Sequence, residues 1–127
     1  MPVKKINTAT ASMELLDDGI VCVIFKKGSV VDIKEQDENL NAFVELAGAQ
    51  KRPILYRAEH NVTFTREARE RAPELEKRTP VSASAFLANN LAYKLMADFY
   101  IKFNKPFVPS KTFRKEDEAI KWLKQYL

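Results

Sequence analysis

The sequence is poor in the residues that build most reactive sites. Its 127 residues include one cysteine, one histidine and three glycines. A single cysteine cannot form a disulfide within the chain, and a single histidine excludes every metal site that needs several imidazoles. The glycines, at positions 19, 28 and 48, lie too far apart to form a glycine-rich phosphate loop. We therefore expect neither a bound metal nor a cofactor.

Long apolar runs are also absent from the sequence. The longest, residues 20–25, has six residues, whereas a transmembrane helix needs roughly 20. Residues 1–12 contain no apolar core of the kind that an export signal carries. The sequence thus predicts a cytoplasmic protein without a membrane span.

The net charge of +4 is small and its distribution is mixed. Residues 1–63 hold eight basic and nine acidic side chains, and residues 64–127 hold thirteen and eight. Basic residues interleaved with acidic ones are typical of solvated helix faces, and no basic stripe alternates with aromatic residues as single-strand binders require. We expect no nucleic-acid partner.

What the chain does have is enough apolar sequence for one domain. Hydrophobic residues make up 46% of it, and two apolar runs on either side of Asp17-Asp18-Gly19 predict an N-terminal β-hairpin. Residues 1–11 are expected to be a flexible segment, and residues 12–127 a single domain.

Strands and helices alternate after the hairpin. Helices are predicted over residues 34–50, after Thr65, over 87–103 and over 116–127, and strands over 53–58, 80–86 and 107–113. This order predicts an α/β sandwich whose later strands are parallel and joined by right-handed crossovers. We expect a mixed sheet of about four or five strands and about four helices.

The predicted helix over residues 87–103 has a wider apolar arc than a surface helix needs. It should be heavily buried or cover a partner, and most aromatic side chains of this last third should be core. Two hypotheses remain for the arc: the wall of a pocket for a small apolar ligand, or a homodimer face. The residues that could serve either role are Leu91, Leu95, Met96, Phe99, Tyr100 and Phe103.

One loop after a predicted strand is a further candidate site, because α/β proteins often bind ligands at that end of the sheet. It contains Glu59 and His60, the only histidine. Adjacent residues rarely face one site, however, and a triad needs a nucleophile, a base and an orienting group together. We assign no catalytic residue and expect a protein that is not an enzyme.

Several local phrases resemble those of the small bacterial SpoIIAA-like proteins, which are similar to STAS and SEC14-type domains. The resemblance covers residues 13–127. It implies a compact sheet with helices packed on it and, for most members, no assigned activity. The phrases are Asp18-Gly19-Ile20, Pro53-Ile54-Leu55, Thr65-Arg66-Glu67-Ala68-Arg69, the stretch 105–113 and Glu118-Ala119-Ile120-Lys121-Trp122-Leu123.

STAS domains carry a phosphorylated Ser or Thr at the start of a helix, and residues 58–65 correspond to that place. The stretch departs from the usual Asp-Ser pattern. A phosphate on Thr63 or Thr65 would lie near a helix N-terminus, where Arg66 or Arg69 could pair with it. Simple capping of the helix by Thr65 is the favoured interpretation.

The resemblance and the residues together lead to two hypotheses. The first is a non-enzymatic, STAS-like regulatory or protein-interaction domain, acting through a protein partner or as a homodimer. The second is a carrier or sensor of a small apolar, lipid-like ligand held beneath the 87–103 helix.

Overall fold

The structure, a computed structural model, describes residues 4–127. Within this range the strands are β1 (Lys5–Asn7), β2 (Ala11–Leu15), β3 (Val21–Phe25), β4 (Val30–Val31), β5 (Arg52–Ala58), β6 (Thr63–Phe64), β7 (Val81–Leu87) and β8 (Ser110–Phe113). The helices are α1 (Ile33–Ala47), α2 (Arg66–Glu76), α3 (Leu91–Phe99) and α4 (Glu116–Leu123). A π-helical turn over Tyr100–Asn104 continues α3, and a 3-10 turn over Lys124–Tyr126 continues α4.

A mixed sheet with the strand order β1-β2-β3-β5-β7-β8 forms the centre of the fold. Strands β1, β2 and β3 are antiparallel, and β3, β5, β7 and β8 are parallel. The predicted hairpin is confirmed as β2 and β3, with Gly19 at a φ of +96° in the turn. The α/β class and the four helices are confirmed as well, but the sheet has six strands rather than four or five.

The additional strand comes from the segment that was expected to be flexible. Residues Lys5–Asn7 form the edge strand β1, pairing Ile6 with Met13 of β2. The ordered sheet therefore begins inside residues 1–11, of which 1–3 lie outside the described residues. The short strands β4 and β6 form a separate parallel pair, in which Val30 lies opposite Thr63 and Val31 opposite Phe64.

Local sequence signals explain where α1 and α2 begin and end. Asp32 caps α1 through a reciprocal capping box with Glu35, and Gly48, at a φ of +66°, ends the helix. The Ala68 N–H donates to Thr65 Oγ1 over 3.2 Å, which is the predicted cap of α2.

The predicted helix over residues 87–103 was wrong at its start. Leu87 belongs to β7, and the helix begins only at Leu91, because Asn90 Oδ1 accepts the Tyr93 N–H over 2.8 Å and caps it there. After Phe99 the helix widens into the π-helical turn, which ends at Lys105 with a left-handed φ of 55°.

The two faces of the sheet carry different cores. Helices α1, α2 and α3 cover one face, where aromatic and branched side chains dominate. Helix α4 covers the other, against a smaller core that contains Ile20, Leu55, Ala83, Ala85, Leu87, Phe113, Ala119 and Leu123. The three-helix face therefore holds the larger of the two cores.

We predict that Leu123→Ala lowers the free energy of unfolding by roughly 2–5 kcal/mol, because Leu123 is fully buried between α4 and the sheet. Leu127→Ala is the matched control: Leu127 is 57% exposed, and its loss should change stability by less than about 0.5 kcal/mol. Urea denaturation measures both. Equal losses in the two variants would contradict the packing of α4 described above.

Candidate functional site

A cavity of about 170 Å³ lies between the three-helix face of the sheet and helices α1, α2 and α3. We call it the sheet–helix cavity. Side chains of the sheet form its floor, because residues paired across neighbouring strands point to the same face. One row runs across four strands and consists of Met13, Val23, Tyr56 and Phe86. The next row places Ile54 beside Ser84.

The walls and roof of the cavity come from the three helices. Helix α1 contributes Gln36, Asn39, Leu40 and Phe43; α2 contributes Ala68, Arg69, Ala72, Leu75 and Glu76; α3 and its π-helical turn contribute Tyr93, Met96 and Tyr100. Most of this lining is apolar or aromatic. An apolar cavity of roughly 150 Å³ is large enough to hold a benzene ring, so the sheet–helix cavity has room for a molecule of that size.

Two hydroxyl groups of the lining have no hydrogen-bond partner among the described residues. They belong to Ser84, which is 1% exposed, and to Tyr93, which is 5% exposed. An unpaired hydroxyl in such a place costs roughly 1–3 kcal/mol of stability. Both groups are therefore available to a ligand.

Glu76 is the carboxylate of the cavity lining. Burial raises its pKa, while the backbone N–H groups of Phe107 and Val108 donate to Oε1 over 2.7 and 3.3 Å and oppose that rise. These bonds fasten the C-terminal end of α2 to the segment before β8. Glu76 thus supports one wall of the cavity and places a partly buried negative charge in it.

Three tyrosines line the cavity together with this carboxylate. Burial raises the pKa of Tyr56, Tyr93 and Tyr100, and the negative charge of Glu76 adds to the rise for Tyr56 and Tyr100. Their phenol groups consequently stay protonated and neutral at physiological pH. Tyr56 also stacks on Phe86, with ring centroids 5.2 Å apart, so the floor is rigid and aromatic.

The structure divides the predicted ligand or dimer face into two groups. Met96 and Tyr100 line the cavity. Leu91, Leu95, Phe99 and Phe103 point away from it and are 48–70% exposed. The arc is therefore not buried as a whole within this chain, because α3 has one side against the sheet and the opposite side in solvent. The alternative expectation, that the arc covers a partner, stays a prediction.

Phe107, which is 59% exposed, follows the same helix in the chain. We call Leu91, Leu95, Phe99, Phe103 and Phe107 the outer row. Phe99 and Phe103 contact each other with ring centroids 4.7 Å apart. Cationic groups flank three of its rings: Arg69 lies 5.9 Å from Phe99, Lys102 5.3 Å from Phe103 and Lys77 5.7 Å from Phe107.

The predicted anion site at the start of α2 is already occupied by interactions within the chain. The Thr65 hydroxyl donates to Asp32 Oδ1 over 2.8 Å, and Arg66 Nε donates to Glu70 Oε1 over 2.7 Å. Arg69 donates to the Phe64 carbonyl. Thr63 is exposed in β6. The negative charge of Asp32 disfavours a phosphate on the neighbouring Thr65. Phosphorylation of Thr63 or Thr65 stays a prediction.

The loop candidates Glu59 and His60 both lie on the surface, away from the cavity. Their contacts are structural: the Lys27 N–H donates to Glu59 Oε1 over 3.2 Å, and the Gly28 N–H donates to the His60 carbonyl over 3.0 Å. The loop thus closes against the turn after β3.

Sequence reasoning missed Ser84, Tyr93 and Glu76 as members of one site. Ser84 does carry a signal, since it is a polar residue inside an apolar strand. Tyr93 and Glu76 carry none, because each fits the ordinary pattern of its helix and only the tertiary fold brings them together.

Two further features are absent from residues 4–127. No helix in this range is long and apolar enough to cross a membrane. No three His, Cys, Asp or Glu side chains within it are grouped so that they could hold a metal ion.

Comparison with known proteins gives a family model and two solved structures. Residues 13–127 match the model of a domain of unknown function, DUF7793. An uncharacterised protein of the DUF3478 family from Shewanella loihica PV-4, which has a SpoIIAA-like fold, aligns over 93% of this chain and 98% of its own with 13% identity and a TM-score of 0.52. The chain therefore has the SpoIIAA-like fold that its sequence resembles.

The second structure is a protein of unknown function from Arthrobacter sp. FB24. It aligns over 93% of this chain and 95% of its own, with 19% identity and a TM-score of 0.31. No curated protein matches the chain.

The burial of Glu76 predicts a pH-dependent stability. A carboxyl group whose pKa is raised by folding stabilises the fold fully below its unfolded value, here 4.5, and loses that contribution as the pH rises through its folded value. Glu76→Gln keeps the oxygen that accepts the Phe107 N–H but cannot ionise. The free energy of unfolding of Glu76→Gln, minus that of the wild type, should therefore increase as the pH rises from about 4 to about 8.

Urea denaturation across this pH range measures the difference. The control is Glu67→Gln, which changes an exposed glutamate of the same helix. An equal gain in both variants would assign the effect to loss of any negative charge from α2 rather than to burial of Glu76.

Proposed function

Because the chain belongs to the DUF7793 family, whose function is unknown, we propose its function from the chemistry of the sheet–helix cavity. The protein is a cytoplasmic, non-enzymatic domain that binds a small, mainly apolar ligand, as its carrier or sensor. The observation that carries this proposal is the cavity itself, which combines room for a ring-sized molecule with a few buried polar groups. Ligand sites in proteins have this make-up.

A binding role is favoured over catalysis because the most reactive side chains lie elsewhere. His60 is on the surface loop, and Cys22, in β3, does not line the cavity. Burial also raises the pKa of the Cys22 thiol, which keeps it protonated and weakly nucleophilic. The cavity lining itself offers hydroxyl groups, two amides, a guanidinium and one carboxylate.

The outer row supports a second candidate, a regulatory or interaction domain that acts as a homodimer. Five large apolar side chains along one helix and the segment after it form a face that a second copy of the chain could cover. An isologous contact needs only one such self-complementary patch. Because the cavity lies on the opposite side of α3, the two roles are compatible.

To test the cavity, we predict that toluene binds to the wild type and that Ala72→Leu weakens this binding by about tenfold or more, because the larger side chain fills the space. The matched control is Ala92→Leu, the same substitution at an exposed helical position outside the cavity. Titration followed by NMR chemical shifts gives both dissociation constants. Equal affinities, or no binding to the wild type, would contradict the proposal.

To test the outer row, we predict that the wild type sediments as a dimer and that Leu95→Lys shifts it to a monomer, since a buried ammonium group in an apolar contact is costly. Leu127→Lys is the control, because Leu127 is 57% exposed but lies outside the row. Analytical ultracentrifugation over a range of concentrations distinguishes the states. A wild type that stays monomeric throughout would exclude the homodimer.

A further inference from the structure

The two unpaired hydroxyls of the cavity define the kind of ligand that it suits. Ser84 is the polar side chain of the floor, beside Ile54 in one row and next to the ring of Phe86 in the same strand. Tyr93, from α3, lines the same cavity. Both hydroxyls are buried, and neither has a partner among residues 4–127. A hydroxyl can donate and accept, so each can bind a neutral polar group of either type.

The charges around the cavity argue against an ionised ligand. An anion would meet the carboxylate of Glu76, and the cationic residue of the lining, Arg69, already donates to the Phe64 carbonyl and lies over the Phe99 ring. A cation would need Glu76 as its counter-charge. One oxygen of that carboxylate, Oε1, already accepts the N–H groups of Phe107 and Val108, which lowers its capacity to offset a buried positive charge. A neutral ligand avoids both costs.

We propose that the ligand is an uncharged, ring-sized molecule with one hydroxyl or similar neutral polar group, and that Ser84 and Tyr93 bind this group. The inference rests on the ligand-binding function proposed above and adds the chemical class of the ligand. The aromatic floor of Tyr56 and Phe86 contacts the apolar body, and the two hydroxyls fix its orientation.

Phenol and toluene are the probes for this proposal, because they differ by a hydroxyl in place of a methyl group. The quantity to compare is the ratio of their dissociation constants in each protein. This ratio cancels any change in how a variant binds the benzene ring that both probes share. Ser84→Ala and Tyr93→Phe should each raise the ratio of the phenol Kd to the toluene Kd by about twofold to tenfold over the wild-type ratio. This is the change expected for loss of one hydrogen bond.

The chain offers a matched control for each variant. Ser82 lies in the same strand as Ser84, but its hydroxyl donates to the Tyr126 carbonyl over 2.8 Å on the other face of the sheet. Tyr126 itself packs against Trp122 beside α4. Ser82→Ala and Tyr126→Phe should therefore leave the phenol-to-toluene ratio unchanged.

Each outcome of the titration decides a different claim. If toluene binds but neither variant changes the ratio, the hydroxyls do not bind the polar group: this inference fails and the proposed function stands. If neither probe binds, both fail. Tighter binding of benzoate or benzylamine than of phenol would overturn the neutral class of the ligand.

Thermal denaturation without any probe adds an independent measurement. Because Ser84→Ala and Tyr93→Phe remove hydroxyls that lack partners within the fold, neither variant should have a lower Tm than the wild type. A Tm lower by several degrees in both variants would mean that the hydroxyls are bonded in the ligand-free protein, and would overturn the assignment.

Discussion

The fold depends on the order of its parallel strands. The parallel strands β3, β5, β7 and β8 lie side by side in chain order. The helices between them, α1, α2 and α3, pack on one face of the sheet, which leaves α4 to cover the other. The α4 face closes tightly because Ala83, Ala85 and Ala119 let the helix approach the strands. Three helices over large aromatic side chains cannot close as well, and the sheet–helix cavity is the result.

Local signals predicted the elements, and tertiary packing decided the rest. The turn at Gly19, the cap at Thr65 and the alternation of strands with helices were sufficient for the hairpin, for α2 and for the α/β class. The start of α3 was misjudged because the apolar run continues from β7 toward the helix, and only the cap at Asn90 separates them. The strand β1 was missed because three residues carry too little pattern to identify an edge strand.

The candidate site shows a stricter limit. Helical periodicity indicates that the arc of α3 is apolar, but it contains no information on what covers each side, so Met96 in the cavity and Leu95 in solvent looked alike. Ser84 and Glu76 meet at the cavity only because β7 and the end of α2 face each other in the fold. A site built from separate elements, with ordinary residues in each, leaves no motif in the sequence.

Helix α3 belongs to both candidate surfaces, and this links them physically. Tyr93, Met96 and Tyr100 face the cavity, while the outer row lies on the opposite side of the same helix. Glu76 strengthens the link, because it lines the cavity and also accepts the N–H of Phe107, the last member of the outer row. A ligand that shifts α3 or Glu76 must therefore also move side chains of the outer row, which is the coupling that a ligand sensor with a partner-binding face requires.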